Sequence, residues 1–181
     1  MKVQQTTLPG VLLLQPQTFG DERGFFLESF QSQRYRDIGI ELPFVQDNHS
    51  RSGRGVLRGL HFQRTRPQGK LVRVSRGSVF DVVVDINPQS ATFGQHVAAT
   101  LSDENHLQMW IPPGYAHGFC VTSDVADFEY KCTDYYLPSD EGGVLWSDPE
   151  LAIEWPVADP ILSDKDRNHP LLRALIQTEN N

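Results

Sequence analysis

Short runs of β-branched, aromatic and alternating residues fill this chain, broken every few positions by Gly, Pro, Asn or Asp. Residues 11–15, 24–30, 44–50, 55–63, 70–76, 78–87, 96–101, 108–111, 116–122, 127–133 and 144–146 all fit a strand. Helical patterns are brief, at 32–38 and about 170–176. So many short strands, with turns at this spacing, call for a sandwich, jelly roll or small barrel. Twelve prolines and fourteen glycines suit its corners. Within 78–86, Phe80, Val82, Val84 and Ile86 share one face, and Asp81, Val83 and Asp85 share the other. Two carboxylates on one face imply a lined cavity or an exposed surface.

At 181 residues the chain is expected to form one domain, spanning 1–181, with a substantial core. Sixteen basic and twenty-three acidic side chains give a net charge of −7, which offers no general attraction to nucleic acid. Cys120 and Cys132 lie in apolar or strand-like runs and read as reduced core residues. The first fourteen residues are too polar and short for a signal peptide or membrane span, so the expected location is cytoplasmic. The polar tail after Leu175 is expected to fray.

Gly55-Val56-Leu57-Arg58-Gly59-Leu60-His61-Phe62-Gln63 is similar to the first half of a cupin metal motif: a glycine, five residues, then His-x-His. Here Gln63 replaces the second His, and Pro67 and Gln68 stand where a Glu ligand belongs. Pro112-Pro113-Gly114-Tyr115-Ala116-His117 fits the second half. Two histidines without a carboxylate make a poor site for a catalytic divalent metal, so the expectation is metal-free chemistry with His61 as base.

A closer resemblance runs nearly end to end. It is carried by Phe19-Gly20-Asp21-Glu22-Arg23-Gly24-Phe25-Phe26-Leu27-Glu28-Ser29, Gln46-Asp47-Asn48-His49-Ser50, residues 55–61 and Gln68-Gly69-Lys70-Leu71-Val72. It continues through Trp110-Ile111-Pro112, Ala116-His117-Gly118-Phe119, Tyr130-Lys131 and Leu162-Ser163-Asp164-Lys165-Asp166. In these the chain resembles the dTDP-4-dehydrorhamnose 3,5-epimerase family. The resemblance implies an all-β, cupin-like jelly roll with a few short peripheral helices, and an isomerase that needs neither metal nor redox cofactor.

Epimerisation beside a ketone needs a base on one face of the sugar ring, a proton donor on the other, and positive charge at the carbonyl oxygen. The resemblance gives His61 as base, Tyr130 as acid and Lys70 as the cation at the C4 oxygen. It points to Asp166 as the carboxylate orienting His61; Asp81 is the other candidate. His117 is expected beside Lys70. Arg23 and Arg58 match the diphosphate and sugar contacts, where a planar guanidinium is well suited. Regular alternation would put Arg58 and His61 on opposite faces, so a bulge at Gly59 is one resolution and an interface role for Arg58 another. Glu28, Gln46, Asp47 and Asn48 match positions that read the thymine, Tyr136 is expected to stack on the base with Phe26 as a weaker candidate, and Glu141 and Lys165 match further contacts. Family members are homodimers that complete each site with the partner's N-terminal strands, and the contiguous Phe25-Phe26-Leu27 suits burial at such a contact.

The expected substrate is therefore a dTDP-sugar, with no nucleic-acid or membrane partner. An epimerase of one centre only, a metal-dependent cupin enzyme and a non-catalytic nucleotide-sugar-binding module are the competing readings.

Overall fold

The computed structural model describes residues 1–178. A strand with period-2 alternation is held in register where at least one face is covered, and this chain covers its strands by stacking two antiparallel sheets. The six-stranded sheet runs β1 (Lys2–Gln5), β2 (Leu12–Gln15), β10 (Gln108–Ile111), β7 (Lys70–Arg76), β12 (Val125–Cys132) and β5 (Gln46–Gly53). The five-stranded sheet runs β13 (Glu141–Gly143), β6 (Leu57–Gln63), β11 (Tyr115–Val121), β8 (Ser78–Asp85) and β9 (His96–Ser102). A separate hairpin joins β3 (Thr18–Asp21) to β4 (Gly24–Leu27). This is a cupin-like jelly roll.

Between the sheets, Val72, Val74, Met109, Ile111 and Phe128 of one layer pack with Val79, Val83, Leu101, Phe119 and Val121 of the other. The outer face of the five-stranded sheet is also apolar: Leu60, Val82, Val84 and Ala116 are covered by Val144, Leu151 and Leu172. Both faces of β8 are thus buried, and Asp81 lies on its inner side with no solvent exposure. On the outside of the other sheet, α1 (Ser32–Arg36) lays Tyr35 over Leu12, Leu14, Leu71 and Trp110.

Some elements differ from the sequence expectation. β4 ends at Leu27, because Phe30 turns away to pack with Tyr35 and Phe44. The last strand is Glu141–Gly143, three residues before the expected one, although Val144 still exchanges two backbone hydrogen bonds with Leu60. α2 (Asp164–Arg167) was not anticipated; α3 (Arg173–Thr178) was, and it carries the tail on as helix, with residues 179–181 outside the described residues. Cys120 and Cys132 are free and buried. Among the described residues no helix is long and apolar enough to cross a membrane.

Candidate active site

A cleft of about 360 Å³ opens between the two sheets. His61, His117 and Phe119 line it from the five-stranded sheet; Lys70, Phe128 and Tyr130 line it from the six-stranded one. Phe119 and Phe128 stack at 4.0 Å between ring centres and join the two layers.

His61 is placed by β6, where its register partners are His117 of β11 and Gly143 of β13. Between Arg58 and His61 the strand carries one residue more than the β11 segment opposite, since Phe119 pairs with Arg58 and His117 with His61. This bulge reverses the alternation and brings Arg58 and His61 to the same cleft. Two glycines permit it. Gly59 has φ +133°, and a Cβ there would lie 2.5 Å from the Gly118 Cα, so the two backbones touch. The Gly59–Leu60 peptide is cis. Arg58 donates from Nε and Nη2 to the Ser52 hydroxyl at 3.1 and 3.0 Å.

The carboxylate behind His61 arrives from the far end of the chain. Ile161 bridges β6 by donating to the Gly55 carbonyl and accepting from the Leu57 amide. The chain then turns into α2, whose N-cap Ser163 accepts from the Asp166 amide at 3.1 Å. Asp166 is buried and its Oδ1 lies 2.5 Å from His61 Nε2, leaving His61 Nδ1 for another partner. Burial pushes the Asp166 carboxyl up, but hydrogen bonding and attraction to His61 outweigh it, so the group sits below the ordinary carboxylate range. Asp81 has a different role. Its Oδ2 meets His117 Nε2 at 2.9 Å, so each cleft histidine is backed by its own carboxylate.

Lys70, at the start of β7, makes no ion pair or hydrogen bond with its side chain among the described residues; burial pulls its pKa down, opposed by attraction to Cys132, Asp81 and Glu141. The Tyr130 hydroxyl likewise has no hydrogen-bond partner among the described residues, and burial raises its pKa. A half-buried ammonium and a half-buried phenol, both lining the cleft without partners among the described residues, are available to a ligand.

At one end of the cleft, Glu141 links two chains of contact: Tyr136 donates to Oε2 at 2.8 Å, and Lys165 donates to Oε1 at 2.7 Å. Burial pushes Glu141 up, but those two hydrogen bonds together hold it below its usual range. Accepting the phenol's proton holds it in place, so the Tyr136 pKa rises to about 12. The Tyr136 amide in turn donates to Gln46 Oε1, and Gln46 donates to Asn48, so both β5 residues face the same cleft.

Four residues expected at the site lie elsewhere in this chain. Asp47 alternates to the outer face of β5, where it pairs with Lys131 at 2.9 Å. Arg23 and Phe26 stand on the exposed hairpin, with Arg23 bonded to Asp21 and Phe26 68 % exposed. Glu28 follows the hairpin and lies 3.4 Å from Arg34. Sequence reasoning missed His169, whose Nε2 approaches Asp166 Oδ1 to 3.5 Å; no motif flagged it, because its position depends on how the C-terminal segment folds back.

The side chain of Gln63 is fully engaged in anchoring a loop: it donates to the carbonyls of Arg66 and Tyr135 and accepts from the Leu137 amide at 2.7 Å. Ligand atoms of His61, Asp166 and His169 lie within 4.8 Å of one another, close enough to test as a metal site. Two ligands of a zinc ion bound at about 2.0–2.1 Å would sit roughly 3.3 Å apart in tetrahedral geometry. The 2.5 Å contact of His61 with Asp166 is shorter than that spacing and is a short hydrogen bond between ring and carboxylate.

The sequence model of the family described as dTDP-4-dehydrorhamnose 3,5-epimerase matches residues 5–174. The chain is 55 % identical to the dTDP-4-dehydrorhamnose 3,5-epimerase of Salmonella typhimurium over 182 aligned positions, covering 99 % of this chain and 100 % of that one. It is 40 % identical to the dTDP-4-dehydrorhamnose 3-epimerase of Streptomyces niveus, over 95 % of this chain and 84 % of the relative. Among solved structures, the dTDP-6-deoxy-D-glucose-3,5-epimerase of Legionella pneumophila, in complex with dTDP-4-keto-L-rhamnose, superposes with a TM-score of 0.92 at 53 % identity, covering 95 % of this chain and 93 % of that one. The chain belongs to the dTDP-4-dehydrorhamnose 3,5-epimerase family.

Proposed function

We propose that this protein inverts C3 and C5 of dTDP-4-dehydro-6-deoxy-α-D-glucose, giving dTDP-4-dehydro-β-L-rhamnose. The observation that carries this reading is the disposition of the cleft. A carboxylate-backed histidine on one sheet and a tyrosine on the other line the same cleft as a lysine, and neither the tyrosine hydroxyl nor the lysine ammonium has a partner among the described residues.

The C4 ketone acidifies the protons on both neighbouring carbons. His61 Nδ1 takes such a proton, while Asp166 holds the ring through Nε2 and stabilises the imidazolium. Negative charge then develops on the C4 oxygen, where the Lys70 ammonium and His117 stabilise it. Tyr130 returns a proton from the opposite face and inverts the centre. The same pair serves C3 and C5 in turn, with no cofactor. Arg58 is assigned to the diphosphate, Tyr136 to stacking on thymine, and Gln46, Asn48, Glu141 and Lys165 to the nucleotide and sugar.

Arg23, Phe26 and Glu28 fit this scheme if the protein is a homodimer whose exposed hairpin reaches the partner's cleft. Phe25 and Phe26, 63 % and 68 % exposed, support it, and sedimentation at the mass of a single chain would contradict it. The chain is read as one domain over 1–181, located in the cytoplasm, the latter supported by two unpaired buried cysteines.

The test is proton NMR of the substrate incubated with the protein in D2O containing EDTA. Deuterium at both C3 and C5, with product of inverted configuration, is expected. Label at one centre alone would point to an epimerase of narrower scope, and absence of exchange would overturn the reading.

A further inference from the structure

The His61–Asp166 pair has a third member that the reaction scheme leaves without a role. His169 follows α2, and its ring rests on Gly143, where any side chain would collide with it. That glycine is the register partner of His61 on β13, so the ring is wedged against the base itself, edge to face, at 5.6 Å between ring centres. Its Nε2 is buried and has no hydrogen-bond partner among the described residues, although it points to within 3.5 Å of the Asp166 oxygen that holds His61. Buried polar atoms rarely stay unpaired, and a small rotation would make this one a second donor to Asp166.

We propose that His169 is a positioning residue of the catalytic pair: by sharing Asp166 Oδ1 with His61, it sets the pH below which His61 ceases to act as a base. The inference rests on the epimerase reading for its role in turnover, but the competition itself follows from geometry. One carboxylate faces two imidazoles. A neutral His169 turned to donate to Oδ1 draws on the Asp166 charge that otherwise serves His61 alone. A protonated His169 competes for that charge more strongly and repels an imidazolium whose ring centre is 5.6 Å away. Other charges facing His169 are Lys165, on α2, and Glu141, on β13. Burial, then the neighbouring His61, holds the His169 pKa below its ordinary value, which keeps His169 neutral at pH 7.

Two variants separate this role from simple packing. His169→Phe keeps a ring against Gly143 but removes the donor and the charge; His169→Gln keeps a donor without a charge. The ring titration of His61, followed by NMR in the substrate-free protein, is expected to shift up in His169→Phe by about half a pH unit or more, with His169→Gln between it and the native protein. The acidic limb of kcat/KM is expected to move with it. A His61 midpoint that stays in place or moves down in both variants would overturn the proposal, even if stability fell. Because the titration needs no turnover, it decides the matter independently of whether the native protein exchanges the substrate's protons.

Discussion

At the scale of single residues, the site is organised by which group holds which. Asp166 and Asp81 look equivalent in sequence, as carboxylates that could serve the same histidine, yet each has its own ring. The choice follows from register: Asp81 sits on β8 opposite Phe119, two positions along β11 from His117, whereas Asp166 enters from α2 against β6. Such a distinction depends on strand pairing, which residue types alone do not reveal. His61 and His117 stand in the cupin-like motif halves as well as in the family resemblance, Lys70 and Tyr130 in the resemblance alone, and all four line one cleft. His169 was not legible in the sequence, because nothing local to 169 marks a contact with 61. If Asp166 works only by orienting and stabilising the base, Asp166→Asn keeps substrate affinity but lowers kcat by about 10²-fold or more, since an amide presents a donor where a charged acceptor is needed. Steady-state kinetics checks this, and a loss confined to KM would contradict it.

Secondary-structure elements place these groups through one irregularity. Alternation of residue types sets out the strand framework and the buried faces, but a regular β6 would aim Arg58 and His61 apart. The bulge at Gly59 resolves that conflict, and it was legible only as one of two alternatives. Strands β1 and β3 escaped notice because all four residues of each are exposed, so no hydrophobic period marks them. The bulge makes a specific demand at Gly59, where φ is +133° and the Gly118 Cα stands 2.5 Å from any added Cβ. Gly59→Ala is therefore expected to destabilise the fold by about 1–3 kcal/mol and to misalign Arg58 with His61, raising KM as well as lowering kcat. Urea unfolding and kinetics measure the two effects; an unchanged midpoint with native kinetics would show that the close approach is dispensable.

For the molecule as a whole, acid should be the weak side. Asp140 is held below its ordinary 3.8 by the Thr65 hydroxyl and by the amides of Arg66 and Thr65. Asp166, starting from 3.8, and Glu141, starting from 4.5, are lowered too once their hydrogen-bond partners outweigh burial. A carboxylate with a depressed folded pKa binds its proton more tightly when unfolded. Its stabilisation is present above the unfolded value and is lost as pH falls through the folded one. His169 adds a shallower decline that begins below 6.5, because the unfolded imidazole takes a proton that the folded one resists. Urea midpoints should thus decline gently below pH 6.5 and steeply below pH 4; midpoints unchanged from pH 7 to 3 would contradict this. The same two-sheet architecture that buries these carboxylates also sets His61 and Tyr130, the proposed base and acid, on opposing walls, and inversion requires such an opposition. It is tested most directly by following, in D2O, both deuterium entry and configuration at C5 with His61→Asn and Tyr130→Phe. With the base gone, neither exchange nor inversion should occur. Without the acid, His61 should still exchange the proton, but the centre should keep its configuration. Inversion at the native rate in Tyr130→Phe would contradict the account.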